Sequence, residues 1–211
     1  LHPIIRQIRE EAKDIIDTYA QNKTPEIARV SYESLSSMVE FAFIALHGRP
    51  GEDGAIQQEL EKYHIPYNGS GIASSQKTIN KAETNSILKK HGVLVADHLL
   101  CYQDDFQNNQ EKTFDSIECT LQYPLIAKPA DDGCSSAVKK INNRQELIAF
   151  AKMMFRLTDD DRDQQSVDIL GLKPKEEFPI KSYFMIEELI DRKDADHFLE
   201  ITGGMLTSYN E

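Results

Sequence analysis

The run from His47 to Gly54, which reads His-Gly-Arg-Pro-Gly-Glu-Asp-Gly, is the feature that most constrains how this chain folds. It directly follows an apolar stretch at 39–46, which predicts a buried strand. Glycines, a proline, an imidazole and charges of both signs in so short a run favour a backbone bent tightly around a polar ligand. In open α/β sheets, loops at strand ends bind ligands. A plain strand-to-helix turn is the alternative, because short motifs also occur by chance.

Composition narrows the class of protein. The 211 residues suffice for one or two domains, and the net charge of −11 argues against general nucleic-acid binding. The three cysteines are widely spaced, which disfavours a disulfide framework and indicates a reducing, cytoplasmic compartment. No apolar run approaches the ~20 residues of a membrane-spanning helix, so no membrane partner is expected. The sequence begins without methionine and stops just after an apolar stretch, so we expect a fragment of a longer protein.

The spacing of apolar residues predicts the order of the elements. We predict helices at 4–19, 55–63, 80–92 and 144–157, and strands at 39–46, 99–102, 123–128, 136–141, 183–190 and 198–206. The segment 159–178 is interpreted as a polar insertion, and its acidic run, 159–163, as a solvated surface. Strands first alternate with helices and hairpins follow. This pattern predicts a parallel-sheet α/β domain over 1–78 and an α+β domain over 79–211.

Lys128 is a second candidate for ligand binding. It ends an apolar strand directly before Pro129, where its ammonium could meet a phosphate as a point charge. The small residues of the next loop, 130–136, offer backbone amides suited to covering phosphates. A surface lysine at a strand end and an ordinary hairpin loop are the alternatives.

Three further charged residues lie where charge is costly. Lys81 stands at a predicted helix N-terminus, where the helix dipole disfavours a cation unless an anion is bound. Glu187 and Glu200 lie in predicted strands, and an inward-facing glutamate needs a partner or a ligand. A surface lysine, and glutamates paired with lysines across the sheet, are the alternatives.

The motifs together resemble one family. The common phosphate-loop and dinucleotide-binding motifs are absent, so a nucleotide site would be built in another way. The residues 47–54, 65–71, 80–83, 123–129 and 186–190 follow one another in the order and spacing of the D-alanine–D-alanine ligases, which are ATP-grasp enzymes. The resemblance extends over roughly residues 39–206. It implies an α/β ATP-grasp fold with a preceding domain, an α+β nucleotide-binding subdomain and a missing C-terminal catalytic part.

The resemblance also implies the chemistry. The family phosphorylates the carboxylate of one D-alanine with ATP and Mg²⁺, and the amine of a second D-alanine then attacks to give a peptidoglycan precursor. His47 would lie near the first D-alanine, Lys81 and Lys128 would contact ATP phosphates, and Glu187 would bond the adenine amino group. The other implied site residues are Ser135 as the catalytic loop serine, Gly133, Cys134, Ser135 and Ser136 over the phosphates, Leu189 and Ile190 at the base, and Glu200 at the ribose.

Departures from the family limit these expectations. The first loop serine of the family falls on Cys134, so either this residue or Ser135 would do its work. The glycine-rich N-terminal loop of the family has no match before residue 39. The family's magnesium ligands lie beyond this chain, so we expect no metal ligand in it and no ligation by it alone.

Two other functions remain open. One is an ATP-grasp ligase for another amino acid or peptide, since most of the amino-acid pocket would lie outside the chain. The other is a nucleotide-binding module without catalysis. The family is commonly dimeric, so the resemblance implies a homodimer, with ATP and D-alanine as small-molecule partners and no nucleic acid.

Overall fold

The computed structural model describes residues 8, 10–13, 15, 18, 28–133, 137–174, 176–191, 194, 196–201 and 203. The helices are α1 (Tyr32–Leu35), α2 (Ala55–Lys62), α3 (Ile72–Thr78), α4 (Lys81–Lys90), α5 (Gln103–Asn108), α6 (Gln110–Glu118), α7 (Arg144–Met154) and α8 (Gln164–Ile169). The strands are β1 (His98–Tyr102), β2 (Leu125–Lys128), β3 (Lys139–Ile141) and β4 (Tyr183–Glu188).

The four strands form one sheet in the order β1-β4-β2-β3, and every neighbouring pair is antiparallel. The register places Ile126 opposite Glu187 and Lys128 opposite Met185. Strand residues alternate between the two faces of a sheet. Ile126 and Lys128 therefore share one face with Met185 and Glu187.

The other face of the sheet carries the hydrophobic core. Leu125 and Ala127 of β2 and Phe184 and Ile186 of β4 lie in a fully buried cluster. Helix α7 packs here because its apolar residues recur at helical spacing and make one continuous apolar stripe. Buried members of this stripe are Leu147, Phe150, Ala151 and Met154. The Phe150 ring contacts Phe184 edge-on, with 4.9 Å between centroids.

Helix α4 forms as its capping box predicts. The side chain of Asn80 accepts a hydrogen bond from the Glu83 amide at 3.1 Å, and the helix ends before Gly92, which has a φ of 80°. Ala82 on this helix packs in a small cluster with Ala130 and Met185. Helix α4 therefore lies against the sheet face that carries Lys128 and Glu187.

The predicted buried strand at 39–46 is wrong. The segment forms no strand, and its one bridge among the described residues joins Ala42 to Tyr67 in the parallel sense. Phe41 and Phe43 are 52% and 76% exposed. An apolar run becomes a buried strand only where neighbouring strands pair with it, and residues 28–78 supply a single bridge.

The segment 159–178, predicted as a polar insertion, also contributes to the hydrophobic core. The segment contains helix α8, and Leu172 and Phe178 join the main core. The buried guanidinium of Arg156 donates to the Phe178 carbonyl at 2.6 Å. The acidic run at 159–163 does lie at the surface, apart from the half-buried Arg162 within it.

The predicted last strand, 198–206, does not form over its described part. Residues 198–201 are exposed and pair with no strand of the described sheet. Residues 202 and 204–206 lie outside the described residues. The segment has the composition of a strand but lacks a neighbour in the described sheet. The predicted helix at 4–19 is described at seven positions, with a helical hydrogen bond of 2.9 Å from the Ala12 amide to the Ile8 carbonyl.

Candidate functional site

Two charged side chains meet on the sheet face opposite the core. Lys128 ends β2 and Glu187 is near the end of β4, and the register makes them diagonal neighbours on that face. The ammonium of Lys128 hydrogen-bonds the carboxylate of Glu187. Their side chains are 19% and 14% exposed. The pairing of Glu187 with a lysine across the sheet, which the sequence left open as the alternative to a ligand contact, is present in the structure.

Lys81 joins this pair from helix α4. Its amide donates to the Ala130 carbonyl at 2.7 Å, and its ammonium hydrogen-bonds the Asp132 carbonyl. Burial lowers the pKa of the Lys81 ammonium, and the nearby charges of Lys128 and Lys181 lower it further. The carboxylates of Asp131 and Asp132 oppose this effect. Lys81 is therefore a half-buried cation that an additional anion would stabilise.

A third lysine completes the cluster. Lys181 lies just before β4, and its ammonium is 3.0 Å from Asp131 Oδ1 and 3.3 Å from Asp132 Oδ2. Sequence reasoning missed Lys181, and it named Asp131 and Asp132 only as part of the loop after Lys128, without a role for their carboxylates. The partners stand about 50 positions apart, so only the paired strands bring them together. The doublet Asp131-Asp132, directly after the candidate strand-end Lys128, was the one available signal.

The substrate-side loop, defined as residues 47–54, reaches the same place from the other part of the chain. The Gly48 amide donates to Glu52 Oε2 at 2.9 Å, and His47 Nδ1 lies 3.9 Å from Glu52 Oε1. A methyl group added at Gly133 would lie 3.2 Å from Glu52 Oε2 and 3.4 Å from Gly48 Cα. Residues 130–133, the described part of the covering loop 130–136, thus pack directly on the substrate-side loop.

A cavity of about 490 Å³ lies between these elements. The predicted site residues Lys81 and Gly133 line it, together with Glu52 of the substrate-side loop. Asn68 and Ile44 also line the cavity, and the Ile44 amide donates a hydrogen bond of 2.5 Å to Asn68 Oδ1. The cavity combines a cation, backbone groups and a carboxylate, as a site for a small polar ligand requires.

The structure does not bring every predicted residue to this cavity, and Lys128 and Glu187 are not among the residues that line it. His47 lies in the substrate-side loop, and its side chain is 87% exposed. Leu189 and Ile190 follow β4, with Ile190 65% exposed, and Glu200 is exposed in an extended segment. Cys134, Ser135 and Ser136 lie outside the described residues, so their predicted roles stay predictions.

Lys81, Lys128 and Lys181 converge within one small region, where burial lowers the pKa of Lys81 most and the charges of the other two lysines lower it further. In the described part of the chain, no three His, Cys, Asp or Glu side chains cluster as a metal site.

No helix among the described residues has the length and apolarity needed to cross a membrane.

Comparison with protein families matches both parts of the chain to one enzyme family. Residues 4–70 match the model of the D-ala D-ala ligase N-terminus, and residues 87–161 match that of the D-ala D-ala ligase C-terminus. The D-alanine–D-alanine ligase of Enterococcus faecalis is 31% identical over 153 residues, which are 70% of this chain and 44% of that protein. The enzyme of Natranaerobius thermophilus is 37% identical over 117 residues, covering 56% and 32%.

Solved structures agree. The D-alanine–D-alanine ligase of Bacillus anthracis superimposes with a TM-score of 0.54 at 27% identity, covering 78% of this chain and 45% of that one. The VanG D-Ala:D-Ser ligase of E. faecalis gives 0.53 at 25% identity, covering 72% and 37%. The B. anthracis enzyme complexed with ATP gives 0.51 at 27% identity, covering 74% and 43%. The chain spans less than half the length of each of these relatives.

Proposed function

We propose that this chain, which belongs to the D-alanine–D-alanine ligase family, contributes the nucleotide-binding part of an ATP-dependent carboxylate–amine ligase that joins two D-alanines for peptidoglycan synthesis. The observation that carries the proposal is the convergence of Lys81, Lys128 and Lys181 beside a small-residue loop. Lys128 and Lys181 have carboxylate partners in the structure, whereas the half-buried ammonium of Lys81 has a carbonyl partner, and a bound anion would stabilise it. The relatives are named for this ligation, and one of them is complexed with ATP.

Binding of ATP would exchange partners at the lysines. In the structure, Lys128 is held by the carboxylate of Glu187, and Lys81 by the carbonyl of Asp132. Phosphate oxygens would replace these partners and free Glu187 to accept from the adenine amino group. The covering loop would close over the phosphates with the amides around Gly133.

The lysines would act mainly by neutralising charge. The phosphoryl group that transfers to a carboxylate develops charge on its oxygens, and fixed cations in a partly dry site stabilise it. Mg²⁺, when bound with ATP, would share this task. On the other side of the cavity, the loop that carries His47 would orient the amino acid whose carboxylate is phosphorylated.

ADP release that depends on D-alanine tests the proposal in the full-length gene product. We expect Lys81→Met and Lys128→Met to lower the rate by at least about a hundredfold, because each removes a charge that acts on the transferring group. Lys140→Met, an exposed lysine on β3 beside the site, is the matched control. ADP release without D-alanine, or at the same rate in all three variants, would refute the proposal.

The second amino acid deserves its own assay, because one structural relative joins D-alanine to D-serine. Mixtures of labelled D-alanine and D-serine, resolved by mass spectrometry, give the preference directly. D-Ala–D-Ala as the main product supports the proposal. D-Ala–D-Ser as the main product would replace it with the function named for that relative.

Three further features stay predictions. The division into domains 1–78 and 79–211 predicts that limited proteolysis cuts near residue 79 first. The homodimer implied by the family predicts a dimeric mass in light scattering. The cytoplasmic compartment predicts that a fluorescent fusion spreads through the cytoplasm.

A further inference from the structure

We propose that Arg49 is a positioning residue that latches the substrate-side loop onto the covering loop through Asp131. The two residues stand 82 positions apart in the chain. Arg49 Nη2 donates to Asp131 Oδ2 at 2.9 Å and to the Asp131 carbonyl at 3.3 Å. Arg49 Nη1 donates to Asp53 Oδ2 at 3.0 Å. The planar guanidinium thus bridges a carboxylate on each loop.

Asp131 is held from two sides. Its Oδ2 faces Arg49, and its Oδ1 lies 3.0 Å from the ammonium of Lys181. The Asp131 side chain is 20% exposed, whereas the Arg49 side chain is 46% exposed. A carboxylate fixed between two cations of different elements has little freedom to rotate. Asp131 therefore gives the latch a fixed anchor on the side of the sheet.

The anchored loop carries groups that matter for the site. The Ala130 carbonyl accepts from the Lys81 amide, and the Asp132 carbonyl accepts from the Lys81 ammonium. Arg49 thereby sets the distance between the loop of His47 and the groups that hold Lys81. The latch itself is independent of the proposed function. Its effect on nucleotide binding rests on that function.

A lysine could not replace Arg49 fully. An ammonium is a single point charge, whereas the fork of the guanidinium presents separate N–H groups to Asp53 and Asp131. Because the pair is partly exposed, it contributes little to global stability. Its loss should loosen the contact between the two loops and leave the hydrophobic core unchanged.

Hydrogen exchange of the Lys81 amide, measured by NMR without nucleotide, reports on the latch. This amide donates to Ala130, so it exchanges faster when the covering loop moves away. Arg49→Gln is expected to speed it about fivefold, the factor that corresponds to an exposed ion pair. Arg49→Lys should give an intermediate rate. The amide of Phe150 in the core should be unchanged in both variants.

A double-mutant cycle separates a latch from a general effect. In an Asp131→Ala background, Arg49→Gln should change the exchange rate of Lys81 by less than about twofold, because its partner is gone. Lys89 lies on the same helix as Lys81 and forms an exposed ion pair of 2.7 Å with Asp97. Lys89→Gln breaks that pair and should leave the exchange rate of Lys81 unchanged. An unchanged rate in Arg49→Gln, or its full effect in the Asp131→Ala background, would overturn the proposal.

Titration with a non-hydrolysable ATP analogue distinguishes the latch from the proposed function. We expect Arg49→Gln to weaken binding by about the same fivefold factor. If the wild-type protein binds no nucleotide, the proposed function fails while the exchange result still decides the latch. If nucleotide binds tightly and Arg49→Gln alters neither exchange nor affinity, the latch fails and the proposed function stands.

Discussion

The ammonium of Lys128 hydrogen-bonds the carboxylate of Glu187 across two neighbouring strands, on the sheet face that looks away from the core. Among the described residues, neither side chain forms a second ion pair. We propose that nucleotide binds at this face, and each member of the pair would then change partner when the ligand arrives.

Removing Glu187 should free Lys128 for phosphate while destabilising the fold slightly. For Glu187→Gln we expect a loss of roughly 1 kcal/mol in the free energy of unfolding, because a partly exposed pair is weaker than a buried one. The side chain keeps an acceptor for an adenine amino group. Urea denaturation measures the loss, and Glu188→Gln, exposed on the same strand, is the control. Equal stability in both variants would count against the pairing.

Lys81 should react with amine-directed reagents at an unusually low pH. Its pKa lies below the ordinary lysine value because of burial and neighbouring lysines, so more of it is deprotonated at a given pH. Its labelling rate should therefore level off at lower pH than that of Nα-acetyl-lysine amide in the same tube. Mass spectrometry of the peptide that contains residue 81 measures the rate.

An anion bound at Lys81 should reverse this reactivity. Phosphate favours the charged ammonium, so a bound nucleotide raises the pKa of Lys81 and protects it from labelling. Nucleotide affinity should then fall as pH rises through the lowered pKa. A labelling profile identical to that of the free compound, with or without nucleotide, would contradict the placement of Lys81 in the cluster.

Gly51 should not tolerate a side chain. A Cβ atom there would lie 2.5 Å from Leu46 Cβ and 2.9 Å from the Leu46 carbonyl oxygen. We expect Gly51→Ala to cost about 1–3 kcal/mol in the free energy of unfolding, since the backbone must shift. At Gly71, the nearest atom to an added Cβ would be Tyr67 Oη at 3.9 Å. Gly71→Ala should therefore cost less, and thermal unfolding of both variants compares them.

Glu118 should make stability depend on pH in the acid range. Hydrogen bonds from Arg144 and Tyr123 lower the pKa of its carboxyl group in the folded state. The charged form is thus favoured by folding. Its contribution is present above the unfolded pKa and is lost as pH falls through the lowered folded value. Glu118→Gln should flatten the acid limb of the stability curve, whereas Glu40→Gln, on an exposed residue, should leave it unchanged.

Local patterns predicted much of the fold. The capping box at Asn80 places helix α4 correctly, and apolar runs place β1, β2 and β4. Helices α5 and α6 were missed because their sequence is mostly polar, although Phe106 and Phe114 do reach the core. Whether an apolar run forms a buried strand depends on the strands beside it, so the apolar run at 39–46 gave a wrong prediction.

The site was predictable only where one segment carries its own signal. Lys81 at a helix start and Lys128 at a strand end stand out by position, and the structure couples them electrostatically. The contacts of Arg49 and Lys181 with Asp131 join distant segments. No local pattern indicates such contacts, since strand pairing and loop packing create them.

Isothermal titration with a non-hydrolysable ATP analogue tests the central claim, that the lysines around the covering loop bind nucleotide phosphates. We predict saturable binding by the protein and a loss of at least about tenfold in Lys128→Ala, because a charge-assisted hydrogen bond contributes about 1.5–3 kcal/mol. Lys140→Ala, exposed on the adjacent strand, should bind as the wild type does. Equal affinity in Lys128→Ala and Lys140→Ala would contradict the claim.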